Sequence, residues 1–170
     1  MGSKIIQYYV EGEDDQKVVN TLKTELGVIR TGKVHVLNVV EQEIPDTRLR
    51  ALSRGTMVVL VFDTDTGNTE ILNRNILKLK RCPSVSEVVL IPQVPKLELE
   101  LVRSCNIKQI KELLNSRSDS DFKRDVIRVT NLSKKLKEHN FDINLFWNKK
   151  PGLPYQNIDN QADKVKITSK

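Results

Sequence analysis

Apolar and polar residues alternate in blocks along the chain, and the blocks change period as they go. Residues 4–10 hold Ile5, Ile6, Tyr8, Tyr9 and Val10 and predict a buried strand, stopped by Glu11-Gly12. From 14 to 26 the apolar residues Val18, Val19, Leu22 and Leu26 fall at helical spacing. Asp14 and Asp15 suit the positively polarised start of that helix and Gly27 its end. Val34, Val36 and Val39 predict a second strand, and Pro45 opens a short helix to Arg54 with Leu49 and Leu52 inward.

The run 57–62 is the most apolar of the chain and reads as a central strand covered on both faces; it delivers Asp63 and Asp65. A helix over 68–80 carries Leu72, Ile76 and Leu79 on one stripe, and 88–91 forms a fourth strand closed by Pro92. Strands separated by helical segments in the order βαβαβαβ predict an α/β fold: a Rossmann-like parallel sheet of about four strands with right-handed crossovers. Beyond Pro95 helices dominate. Residues 97–101 lean to helix, 107–115 and 121–139 have helical patterns, 141–147 is a short strand candidate, and 157–170 reads as a frayed polar tail. The expected organisation is an α/β domain over 4–95, a mainly helical extension over 96–156 packed on it, and the tail.

Composition narrows the class. The chain has 170 residues, 38% hydrophobic and 29% charged, as in an ordinary globular protein with room for a core. No apolar run approaches the roughly 20 residues that span a bilayer, so no membrane role is expected. The amino terminus lacks signal-peptide zones. Cys82 and Cys105 form no CxxC and have no histidine nearby, which argues against a disulfide framework or zinc site and makes the cytoplasm the default location.

The net charge of +6 divides unevenly. Residues 1–100 carry 13 basic and 14 acidic side chains, residues 101–170 carry 15 and 8. A basic surplus confined to one segment suits a polyanion such as nucleic acid, and equally a lysine-rich solvated surface. Aromatic residues, at 5%, are too few for an evident base-stacking platform.

Two acidic clusters sit at the carboxyl ends of strands, where open parallel sheets place their chemistry. They are Glu11-Gly12-Glu13-Asp14-Asp15 and Asp63-Thr64-Asp65. Acidic helix starts are common because Asp caps helices, and that accounts for Asp14 and Asp15. A D-x-D step, however, places two carboxylates close together, and hard oxygen donors gathered at one point suit Mg²⁺.

The segment Tyr8-Tyr9-Val10-Glu11-Gly12-Glu13-Asp14-Asp15, followed some fifty residues later by Val59-Leu60-Val61-Phe62-Asp63-Thr64-Asp65, resembles the Toprim family of topoisomerases, primases, OLD-family nucleases and small RNA-maturing nucleases. The resemblance covers 4 to about 95 and is closest in pattern to OLD-family nucleases. It implies that Glu11 is a metal ligand or general acid/base, that Asp63 and Asp65 hold Mg²⁺, with Mn²⁺ as a substitute, and that Asp15 serves a second metal. A further glutamate after the fourth strand is implied, supplied by Glu98 in preference to Glu100. Lys149 or Lys150, beyond the last strand-like run, is the candidate for a basic residue assisting near the scissile phosphate, against the alternative of an exposed pair before a proline.

The implied activity is Mg²⁺-dependent phosphodiester hydrolysis of DNA or RNA, in phage defence or RNA processing, beside a separate ATPase protein. Length argues against topoisomerase action and the lack of a zinc-binding partner domain against primase action. Two alternatives stand: a Toprim-like module that binds nucleic acid or protein without turnover, and a haloacid-dehalogenase-like phosphotransferase, which Asp63-Thr64-Asp65-Thr66-Gly67 also resembles. The latter family begins its domain with this strand and writes Gly before Thr. The stretch 27–34 approaches a P-loop, but Val34 lacks the hydroxyl and the segment leads from helix to strand, the wrong direction for cradling phosphate.

Overall fold

The computed structural model describes residues 4–167. Four strands form one parallel sheet: β1 (Ile6–Val10), β2 (Lys33–Val36), β3 (Thr56–Asp63) and β4 (Val85–Gln93), in spatial order β2-β1-β3-β4. Helices α1 (Glu13–Asn20), α2 (Asp46–Arg50) and α3 (Glu70–Lys80) connect them. The carboxyl-terminal part adds α4 (Leu97–Ser104), α5 (Lys111–Leu114), α6 (Phe122–Arg128) and α7 (Leu132–Glu138). The α/β Rossmann-like class expected from the alternation is the architecture observed.

Strand β3 shows why the sheet is parallel and central. Its side chains are apolar on both faces: Met57, Val59 and Val61 join one core cluster, Val58, Leu60 and Phe62 the other. The first cluster packs against α1 through Val18 and Val19, against Leu22 in the turn that follows it, and against α4 to α7 through Leu101, Leu113, Phe122, Val126, Leu132 and Leu136. The second takes Leu72 and Leu79 from α3 and Val39, Val40 and Ile44 from the β2–α2 connection. Covering both faces leaves polar chemistry to the strand ends.

Two expectations are corrected and one is refined. The long helix over 121–139 is two helices broken at Val129, whose backbone is extended (φ −64°, ψ 141°); Val129 and Thr130 are β-branched, and Asn131 precedes the restart at Leu132. Helix α1 runs on as a π-helical turn over Thr21–Glu25, where the Thr21 hydroxyl donates to the Lys17 carbonyl. Residues 141–147 form turns instead of a strand; Phe146 and Trp147 bury their rings in the core cluster that the carboxyl-terminal helices share with one face of the sheet.

The expected frayed tail is also ordered as far as 167, while 168–170 lie outside the described residues. Gln161 pairs with the outer edge of β4, its N–H donating to the Leu90 carbonyl and its side-chain oxygen accepting the Leu90 N–H. Tyr155 and Ile158 enter one core cluster, Ala162 and Val165 the other, so this segment covers an edge that would otherwise expose unpaired backbone groups. Among the described residues no helix is long and apolar enough to cross a membrane.

Candidate functional site

Glu11 follows the last residue of β1, and Asp63 ends β3, its neighbour in the sheet. Adjacency brings them together: the Asp63 N–H donates to Glu11 Oε1 at 3.1 Å. Asp15 arrives from the first turn of α1. Gly12 is the residue before that helix, and Asp15 Oδ2 accepts the Gly12 N–H at 3.1 Å, satisfying one of the donors a helix start leaves open. A Cβ on Gly12 would meet Asp14 Oδ1 at 2.8 Å, so glycine lets the acidic turn fold tightly over the strand end.

The fourth strand closes the group. Gln93 ends β4 directly opposite Asp63 in the register, and its Nε2 donates to Asp15 Oδ1 at 2.9 Å and to Asp63 Oδ1 at 2.8 Å. Gln93 Oε1 accepts the indole N–H of Trp147 at 3.0 Å, which fixes which way the amide faces. Thr64 turns away from this cluster, its hydroxyl donating to the Gln93 carbonyl.

Burial and charge work against ionisation here. Burial is the largest cause in each case. It raises the Asp15 carboxyl to about 8, helped by Asp14 and Asp63, and it raises Asp63, helped by Glu11. Glu11 moves upward as well, despite the Asp63 N–H that stabilises its charged form. Asp14 is 4% exposed and its Oδ1 has no hydrogen-bond partner; the nearest cation, Lys123 Nζ, lies 4.0 Å away.

The cluster opens into a cavity of about 270 Å³ at the carboxyl end of the sheet. Glu11, Asp14, Asp15, Asp63, the exposed Asp65 and Glu98 line it, with Asn38, Lys96 and Lys123. Through Lys96, Glu98 and Lys123 it adjoins a larger cavity of about 660 Å³ floored by Leu99, Val102 and Ile110 and bordered by Lys108. A third cavity, of about 360 Å³, lies at the opposite end of the strands beside Lys4, Gly32 and Thr56, with no acidic side chain in its lining.

The structure therefore brings together five of the residues singled out from sequence: Glu11, Asp15, Asp63, Asp65 and Glu98. It separates Glu100, which is fully buried on the other side of α4 and bound by Arg103 at 2.8 Å and by the backbone N–H groups of Val94 and Trp147. Lys149 and Lys150 are exposed and outside the cavity lining; Lys96 and Lys123 occupy the basic positions there. Gln93 and Trp147 carried no recognisable motif. Their only sequence signal was position: a polar residue at a strand's carboxyl end and the single tryptophan of the chain.

The donor set is all oxygen, which suits a hard divalent cation; burial and mutual repulsion oppose ionisation of Asp15 and Asp63, and Asp14 Oδ1 has no hydrogen-bond partner, so a cation would favour the charged forms that the chain itself disfavours. Among the described residues no three His, Cys, Asp or Glu side chains are already gathered round one point as ligands. The carboxylates are held by hydrogen bonds to Gln93 and the backbone. No protein-family model, curated protein or solved structure matches this chain.

Proposed function

We propose that this chain is a Toprim-type phosphodiester hydrolase that acts on DNA or RNA with Mg²⁺, or Mn²⁺ in its place. The observation that carries the reading is the meeting of Glu11 and Asp63 across adjacent strands β1 and β3, with Asp15 drawn to them through Gln93. Glu11, Asp15, Asp63 and Asp65 are the residues to hold the cation, with Asp14 and Glu98 on the cavity wall. Bound there, the cation supplies a nucleophilic water at neutral pH and charge stabilisation for the phosphoryl oxygens.

The chain's own residues do the rest. Burial holds the Glu11 carboxyl above the ordinary carboxylate range, the direction that favours taking up a proton. Lys96 and Lys123 draw the phosphate backbone towards an otherwise acidic cavity, and the adjoining apolar-floored cavity accommodates the neighbouring part of the strand. The position of β3 as third in the chain, behind two βα units, disfavours the dehalogenase-like phosphotransferase.

One observation favours a second reading, a binding module without turnover: the carboxyl groups are joined by hydrogen bonds and are not gathered as a ready chelate. Incubation with labelled single- and double-stranded DNA and RNA in Mg²⁺ or Mn²⁺ separates the two. Cleavage by the wild type that is lost in Asp63→Ala supports hydrolysis. Binding without cleavage on every substrate supports the module and removes the nuclease reading.

A further inference from the structure

Trp147 is held in an unusual way. Its backbone is left-handed, φ 55°, a conformation that bulky side chains rarely adopt. Each of its polar groups is nevertheless bonded. The N–H donates to Glu100 Oε1 at 3.1 Å, the carbonyl accepts Asn160 Nδ2 at 2.9 Å, and the indole N–H donates to Gln93 Oε1 at 3.0 Å. Glu100 is itself clamped by Arg103 and the Val94 N–H, so a buried network reaches from α4 and the carboxyl-terminal segment to one amide. Strained backbone that persists because its surroundings over-determine it collects at working sites.

The result is a fixed direction for Gln93. With Oε1 taken by the indole, the amide presents both of its hydrogens to the cavity side, one to Asp15 and one to Asp63. A freely rotating glutamine would offer either end. With the carbonyl forward it would repel the carboxylates it now holds. From this geometry we infer that Gln93 is a positioning residue for the cation-binding carboxylates, aimed by Trp147, so that occupancy of the cavity is linked to the loop that carries Trp147. The inference rests on the cation reading above and adds the residues that set the spacing of Asp15 and Asp63.

Trp147 is the chain's only tryptophan, so its emission needs no assignment. Titrating the full chain with MgCl₂ at pH 8, by calorimetry and by tryptophan emission in parallel, should give one saturating transition with the same midpoint in both. Gln93→Met keeps the length and removes the donors; calorimetry should show a loss of affinity of about 10- to 100-fold, the range found when groups supporting metal ligands are removed. Trp147→Phe, which keeps Gln93 but frees its orientation, should give a smaller loss in the same direction. Thermal unfolding of each variant establishes that it folds, and the wild-type emission arm needs no substitution. Binding by the wild type with unchanged emission, or equal affinity in folded Gln93→Met, overturns the positioning role alone. No Mg²⁺ binding by the wild type overturns the cation reading and this inference with it.

Discussion

Glu100 and Asp15 are both buried carboxylates, and their surroundings differ in the way that separates structure from chemistry. Glu100 has a cation, Arg103, and two backbone N–H donors, and it lines none of the cavities described above. Asp15 has only neutral donors, the Gln93 amide and the Gly12 N–H, and its charged neighbours are Asp14 and Asp63. A buried charge with its partner supplied holds the chain together; buried acidic groups gathered beside a cavity resist ionisation until a cation joins them.

Substitution should split the two sites in opposite directions. The largest effect expected is on hydrolysis: Asp63→Ala should lower the rate of cleavage by on the order of 10²- to 10³-fold or more in a labelled-substrate assay, while the protein stays folded. Next comes Glu100→Ala, which leaves Arg103 without its buried partner and two N–H groups unsatisfied. Denaturant unfolding should show a loss of about 3–5 kcal/mol. Asp15→Asn should do the reverse at pH 8 in the absence of metal, leaving stability unchanged or raising it by about 1–3 kcal/mol, because a charge that burial and its neighbours disfavour is removed.

The same contrast predicts a pH dependence. Asp15 in the folded chain keeps its proton to about 8, whereas in the unfolded chain it releases it near 3.8. Between those values the folded state binds the extra proton, so the stability of the metal-free chain should fall as pH rises from about 4 to about 8 and level off above. The expected drop is on the order of a few kcal/mol, measured by denaturant unfolding in chelator. A smaller effect is expected at the cavity rim. Lys96→Ala or Lys123→Ala should weaken nucleic-acid binding on all sequences alike and reduce the slope of log affinity against log salt by about 1.

How much of this was legible from residues alone follows from the range of the interactions. Glu11 and Asp63 stood out because each ends an apolar run, and a parallel sheet gathers strand ends at one edge; chain order and pattern carry that information locally. Glu98 and Glu100 differ by two residues on one helix, and only packing shows that the first faces the cavity and the second the interior. Gln93 became informative through Trp147, 54 residues later in the chain, and a pairing at that distance leaves no periodic trace. The strand expected over 141–147 is absent for a related reason: Phe146 and Trp147 are apolar because they enter the core between the sheet and the carboxyl-terminal helices, and apolarity alone does not distinguish a buried turn from a strand.

The central claim is that Glu11, Asp15 and Asp63 form a cluster whose ionisation burial opposes and a divalent cation would favour. Thermal unfolding at pH 8 against increasing MgCl₂ tests it most directly, since a ligand that binds only the folded state raises stability as the logarithm of its concentration above Kd. The account predicts a rising unfolding temperature for the wild type and a flat one for Asp63→Asn. Equal responses in the two proteins, or none in the wild type, would contradict it.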